Sequence, residues 1–376
     1  MVASTPKDDR LSRRFFEERI ARSLTQADID DIAGFEPGIT SELEDGRRKM
    51  TLAHAALYAE ALRMPLDWFL REEPAIIASR RNALFDTFDD MEEEFRFLYA
   101  MVTQLVSEGI LHGVAFEKER LPDTPEDTEM PARRVRERVS KLEPAFPPDG
   151  PIADVSSFCE QLGLLVFPVS APGSSTFGVM SEIHLDRDDR RLAIAAVNVL
   201  PEGQPRPGAT LRFTACHELG HLTFGDAYSA VHVGQSEKIV NAFAAHLLMP
   251  RAIAEAQWEA AEGDAATASK ALAQECGTSW SSAARHWNSL GRLNPREAGI
   301  LSKKLAEEPN DQEQLKRYYQ QPLPQVPAKF AETIRSAYAH DKLTRSRTLE
   351  ALRDPEADLP ALMRPRQRPA INLAGV

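Results

Sequence analysis

The chain has 376 residues, enough for two or three domains, and its 43% hydrophobic content supports globular cores rather than a disordered chain. A formal net charge of −12 argues against wholesale nucleic-acid binding, though it leaves room for a local basic surface. Three scattered cysteines, Cys159, Cys216 and Cys276, exclude a disulfide framework and a cysteine-type zinc site; with no apolar leader and no apolar run of about 18 residues, a cytoplasmic setting is expected.

Residues 15–72 are patterned for helices almost throughout. Leu24 to Gly34 reads as a short helix capped by Thr25 and ended by the glycine. Pro37 to Gly46 reads as a second, followed by Leu52 to Leu62, with Ala53, Leu57, Ala59 and Leu62 as core candidates, and Pro65 to Leu70. Two short helices across a glycine turn are a helix-turn-helix signal. Leu24, Thr25, Gln26, Gly34, Ser41, Glu44 and Gly46 together resemble the XRE/Cro repressor domain, with Thr40 standing where that family usually has isoleucine. The resemblance implies a second helix that reads DNA, with Thr25, Gln26, Thr40, Ser41, Arg47, Arg48 and Lys49 as candidate DNA contacts. Charge points the other way. Residues 1–72 carry 11 Lys/Arg against 14 Asp/Glu, and phosphate neutralisation supplies most DNA affinity. Protein contact or homodimerisation is the alternative use of this domain.

Residues 73–131 read as a helical connector. Asp90 is placed to cap a helix whose Phe95, Leu98, Val102, Leu105 and Val106 form an apolar stripe, ended near Gly109. Leu121 to Met130 is acidic and Pro-containing, the pattern of an exposed loop. Helices are then expected over Ala132–Leu142 and Ile152–Leu162. Strands are expected over Gly163–Pro168, Gly178–Leu185 and Arg191–Asn198. A small sheet of this kind offers an edge to an extended peptide.

The chemistry is concentrated in Thr210 to Gly225, which contains His217-Glu218-Leu219-Gly220-His221. Residues four apart share one face of a helix, so the two imidazoles can hold one metal ion. Zinc suits neutral nitrogen ligands, with manganese as the alternative. Glu218 flanks the pair without being a ligand and can take a proton from a water activated there. Thr210 is placed to cap this helix and Gly225 to end it. A third ligand is needed from another element. Ser236 to Pro250 reads as a second helix, on which Glu237 is the candidate ligand and Asn241, one turn on, can hydrogen-bond a ligand histidine. His232 and His246 are rival ligands.

Two motifs, Arg212-Phe-Thr-Ala-Cys-His-Glu-Leu-Gly-His221 and Glu237-x-x-x-Asn241-Ala-Phe-Ala-Ala-His-Leu-Leu-Met-Pro250, resemble the ImmA/IrrE family of zinc metallopeptidases over roughly residues 132–296. The resemblance implies a gluzincin-like site, with His217, His221 and Glu237 on zinc and Glu218 as general base. Cys216 stands where that family often has another small residue. Lys270 to Gly291 is similar to the helical module that trails the peptidase core in ImmA-like proteins; Trp280 and Trp287 are expected in its core.

Residues 321–376 begin with Pro322, Pro324 and Pro327 and carry 9 Lys/Arg against 6 Asp/Glu. They read as a largely disordered tail. The expected organisation is therefore an XRE-like domain over 1–72, a connector over 73–131, a zincin-like metallopeptidase domain over 132–320 and the tail, in a mainly α fold with a small β-sheet. The expected function is a zinc endopeptidase that cleaves a repressor or other regulatory protein in stress, mobile-element or phage-defence control. Tyr228 and His232 are the candidates to stabilise the oxyanion. The alternatives are a transcriptional regulator whose zinc domain senses or binds a partner, and one half of a toxin–antitoxin-like pair with a partner from a neighbouring gene.

Overall fold

A computed structural model describes residues 10–21, 24–62, 77–79, 90–183, 185, 190–200, 207–225, 233–308 and 323–362. The chain divides into two compact units, Met1–Glu73 and Pro74–Val376. The expected Pro65–Leu70 helix lies outside the described residues.

Among the described residues the first unit holds four helices: α1 (Arg10–Ala21), α2 (Gln26–Ala33), α3 (Ile39–Glu44) and α4 (Leu52–Ala61). Thr25 caps α2 in a reciprocal capping box with Asp28, and Gly34 ends it in the left-handed region at φ 68°. The turn into α3 is clamped by Asp30, whose carboxylate accepts the backbone N–H of Gly38 at 2.7 Å and of Thr40 at 2.9 Å. Phe15, Ile29, Leu43, Ala55, Tyr58 and Leu62 form the core. Ala53 and Leu57 do not belong to it: Ala53 is exposed and Leu57 is 42% exposed. The buried stripe of α4 runs through Ala55, Tyr58, Ala59 and Leu62 instead. Under this core Arg19 meets Glu44 through two hydrogen bonds of 2.7 and 2.8 Å, and Glu44 also accepts from Gln26 and Tyr58. A buried carboxylate is tolerable when paired and saturated in this way.

The second unit is built on a four-stranded sheet ordered β1 (Ile77–Ser79), β4 (Gly178–Glu182), β6 (Ala193–Asn198) and β3 (Leu164–Val169). Among the described residues only the β3–β6 pair of this sheet is parallel. A two-residue ribbon, β2 (Val114–Ala115) with β5 (Arg190–Arg191), stands beside it. β3 and β6 are buried along their whole length, which requires cover on both faces. Alternate residues face opposite ways. Leu164, Val166, Met180, Ala193, Ala195 and Val197 pack on one side, and Leu165, Phe167, Val179, Ile194 and Ala196 on the other.

The first face is covered by α6 (Glu129–Leu142), α7 (Val155–Glu160), α8 (Gly208–Phe224) and α9 (Val233–Leu248), continued by α10 (Arg251–Ala260), α11 (Ala265–Cys276), α12 (Trp280–Ser289) and α13 (Pro295–Glu307). Trp287 is fully buried, with Nε1 donating to Ser269 at 2.9 Å, whereas Trp280 is half-buried. The second face is covered by α5 (Asp90–Ser107), α14 (Ala328–Ala339) and α15 (Arg345–Leu352).

Two expectations are corrected here. The helix over 90–107 is not a connector but one wall of the sheet's second face, through Phe95, Leu98, Val102 and Leu105. Residues 323–362 are not a disordered tail. Phe330, Ile334, Ala337, Leu343 and Leu352 are buried against the sheet, and Glu160 holds α14 by accepting the N–H groups of Lys329 and Phe330 at 3.0 and 2.8 Å. Few apolar positions sufficed because the sheet face already supplied most of the apolar surface. Arg364, Arg366 and Arg368 lie outside the described residues. The whole is mainly helical with a small sheet.

Candidate metal centre

Helix α8 starts at Gly208, with Pro207 at the cap position rather than Thr210, and ends at Gly225 in the left-handed region. From Thr214 to Phe224 every residue is buried, so this helix runs through the core with no solvent face. Arg212 pins its first turns by donating to the carbonyls of Ala153 and Ile152 at 3.0 and 2.5 Å and of Cys276 at 3.2 Å. Helix α9 lies close against it. A side chain at Gly220 would meet Cγ1 of Val240 at 2.8 Å and a ring carbon of Phe243 at 3.1 Å, so the approach depends on that glycine.

That approach brings three ligand-type side chains together. His217 and His221 are 5% and 3% exposed. Their Nε2 atoms are 3.1 Å apart. Glu237 reaches them from α9, with Oε2 at 3.4 Å from Nε2 of His217 and Oε1 at 3.5 Å from Nε2 of His221. Among the described residues this is the one cluster of three or more such side chains that converges on a single point. The spacing fits one small metal ion: tetrahedral ligands at about 2.0–2.1 Å from an ion are about 3.3–3.4 Å from each other, and the three observed separations bracket that value.

Asn241 supports this arrangement from the next turn of α9, its Oδ1 lying 3.1 Å from Nδ1 of His217. An Nδ1–H donated there leaves Nε2 with its lone pair toward the cluster. Burial pushes the Glu237 carboxyl up, but the hydrogen bond from His221 and the charge of both imidazoles outweigh it and hold the group below the usual carboxylate range. It is thus an anion at neutral pH, as a ligand must be.

Glu218 is fully buried beside the ligands. What faces it comes from a strand distant in sequence. A Cβ on Gly178, the first residue of β4, would collide with Oε1 of Glu218 and would meet Cγ2 of Thr214 at 2.7 Å. The strand therefore begins with a glycine where the carboxylate needs room. The loop into it is held by Asn198, whose side chain donates to the carbonyls of Ala171 and Thr176 at 2.9 and 3.2 Å and accepts from Ala171 at 3.2 Å.

The rival ligands separate. His246 is buried against His286, ring centroids 4.7 Å apart, and is not in the cluster. Tyr228 and His232 lie outside the described residues. Burial drives the Cys216 thiol up to about 12, so it is a neutral core residue.

In the first unit the candidate DNA contacts are mostly engaged already. Thr40 is fully buried and is withdrawn from the group. Gln26 donates to Glu44 at 2.7 Å. Arg47 pairs with Asp45 and also donates to Ser41, while Arg48 pairs with Glu42. Thr25 is occupied with Asp28, and Lys49 is exposed.

Residues 203–288 match the family model Peptidase_M78, described as the IrrE N-terminal-like domain. The matched segment contains α8, α9 and the three side chains that could hold a metal ion, His217, His221 and Glu237. No curated protein and no solved structure matches the chain.

Proposed function

We propose that the chain is a zinc-dependent endopeptidase whose substrate is a repressor or another regulatory protein, working in the cytoplasm. The observation that carries this reading is the convergence of His217, His221 and Glu237 with a buried glutamate, Glu218, next to the first ligand. A bound zinc ion would supply Lewis acidity toward the scissile carbonyl and toward water. The protein's own part is played by Glu218. It accepts a proton as a water oxygen adds to the carbonyl carbon, then delivers that proton to the departing amine nitrogen as the C–N bond breaks. A purely structural metal site has no use for a carboxylate there.

The first unit is read as an XRE-like helix-turn-helix module that brings the peptidase to its partner. Arg47 and Arg48 are paired with the neighbouring acids Asp45 and Glu42, and DNA affinity needs free cations. This favours a protein partner or a second copy of the chain over DNA.

The test is co-expression of the full chain, and of its Glu218→Gln variant, with proteins from the neighbouring genes, followed by intact mass spectrometry and metal analysis. A neighbour cut by the unaltered chain but whole with the variant, at equal zinc content, is the expected result. Uncut neighbours together with salt-sensitive operator binding that the variant retains would replace this reading with that of a regulator.

A further inference from the structure

The outer edge of β4 is the sheet edge closest to the catalytic machinery, and the chain covers it with its own backbone. β1 is three residues long and lies antiparallel on β4, with Ile77 opposite Met180, Ala78 opposite Val179 and Ser79 opposite Gly178. Paired residues of this kind have Cα atoms about 4.5–5.5 Å apart. Ser79 therefore stands directly beside the glycine that makes room for the Glu218 carboxylate.

Without β1, β4 would present a row of unpaired N–H and C=O groups next to Glu218. Such an edge accepts an extended peptide by strand addition. A peptide bond to be cut must come within reach of Glu218, and this edge is the backbone template that starts there. The remaining strands do not compete. β6 is paired on both sides, and β3 is at the far end of the sheet.

The cover is thin. Three residues lie at the lower limit of strand length, against six each in β3 and β6. Chain connectivity makes the pairing intramolecular, so it persists at rest without needing to be strong. It also places β1 just after the end of the first unit at Glu73.

We infer that residues 77–79 are an autoinhibitory strand, occupying in the resting chain the backbone site on β4 that an extended peptide substrate takes when β1 leaves. This inference rests on the peptidase reading for its meaning, but the occupancy of the edge is testable without catalysis.

The experiment uses the full chain carrying Glu218→Gln, with zinc, and the same chain with Ala78→Pro and Ser79→Pro added. Successive strand residues point their N–H groups to opposite sides, so one of the two prolines must remove a donor facing β4. The probe is a fluorescent synthetic peptide with the sequence of residues 74–82, read by anisotropy. Its control carries proline at the same two places. The double-proline chain is expected to bind the probe at least tenfold more tightly than its parent, and the control peptide is expected to bind neither. Equal binding of the probe to both chains overturns the inference. So does loss of the fold in the double-proline chain, because it would make β1 an integral strand.

Hydrogen exchange on the unaltered chain gives a second reading that needs no variant. Amides of residues 77–79 are expected to exchange at least tenfold faster than those of Ala193–Asn198. Equal protection overturns the proposal. With Glu218 intact, the double-proline chain should also cleave protein substrate several-fold faster. If the probe binds as expected but nothing is cleaved, the strand inference stands and the peptidase reading falls.

Discussion

Oδ1 of Asn241 stands 3.1 Å from Nδ1 of His217, so the second helix of the site fixes the orientation of a ligand carried by the first. Groups that orient a ligand histidine typically account for about 10–100-fold in metal affinity or activity. Asn241→Ala should therefore lower zinc affinity by a factor in that range, measured by competition with a chromophoric chelator. It should leave the fold intact, because Asn241 is exposed. Unchanged affinity would show that His217 is held by packing alone.

Gly178→Ala tests the room made for Glu218. The new methyl group must displace either Oε1 of Glu218 or Cγ2 of Thr214. The carboxylate is the end of a flexible side chain, so it is the part that yields. A misplacement of about 1 Å at a reacting group can cost about 100-fold in rate. The expected outcome is a drop of about 10–100-fold in kcat with zinc content unchanged, from steady-state kinetics and metal analysis on the same sample. A variant as active as the parent would remove Glu218 from the position argued here.

Zinc should act as a structural ligand of the second unit as well as a cofactor. Anything that binds only the folded chain stabilises it, by about 4 kcal/mol at a free concentration 1,000 times its Kd. Thermal melts with and without chelator should differ accordingly for the unaltered chain. The difference should shrink strongly in Glu237→Ala, which removes one of three converging ligands. Equal zinc stabilisation in both would place the metal elsewhere.

The buried pair His246 and His286 predicts acid lability. Burial lowers His246 to about 4 and His286 to about 3, and neither nitrogen of His246 has a hydrogen-bond partner among the described residues. An unfolded chain protonates these rings near pH 6.5, whereas the folded one resists until about 4 or below. Between those limits the unfolded state binds more protons, so stability falls as the pH falls. The slope is about 1.4 kcal/mol per pH unit for each histidine. His246→Leu should flatten the decline of the denaturation midpoint between pH 6.5 and 4. Parallel curves for variant and parent would show that the pair does not carry it.

How much of this was legible depended on whether a feature was local. His217 and His221 could be read because four-residue spacing on a helix is a geometric statement, and Glu237 and Asn241 because they lie one turn apart on the next helix. Gly178 could not be read, since its meaning comes from a strand and a helix meeting across about 40 positions of sequence. β1 was invisible because three residues are too few to show alternation. The helices at 328–352 carry the sequence pattern of a tail because prolines and arginines flank them and their few apolar residues find a partner only once the sheet exists. The inward position of Thr40 is not legible locally, because a helix of six residues leaves its inward face to one or two positions, and Thr40 holds one of them.

The cover supplied by α14 and α15 also sets an order of assembly during synthesis. A chain leaves the ribosome at roughly 5–20 residues per second and folds from its N-terminal end. The helices carrying His217, His221 and Glu237 emerge well before residues 328–352, yet the second face of the sheet that backs them has only α5 to cover it until those residues arrive. A nascent chain ending before residue 323 would thus hold His217, His221 and Glu237 with part of the sheet's second face still uncovered.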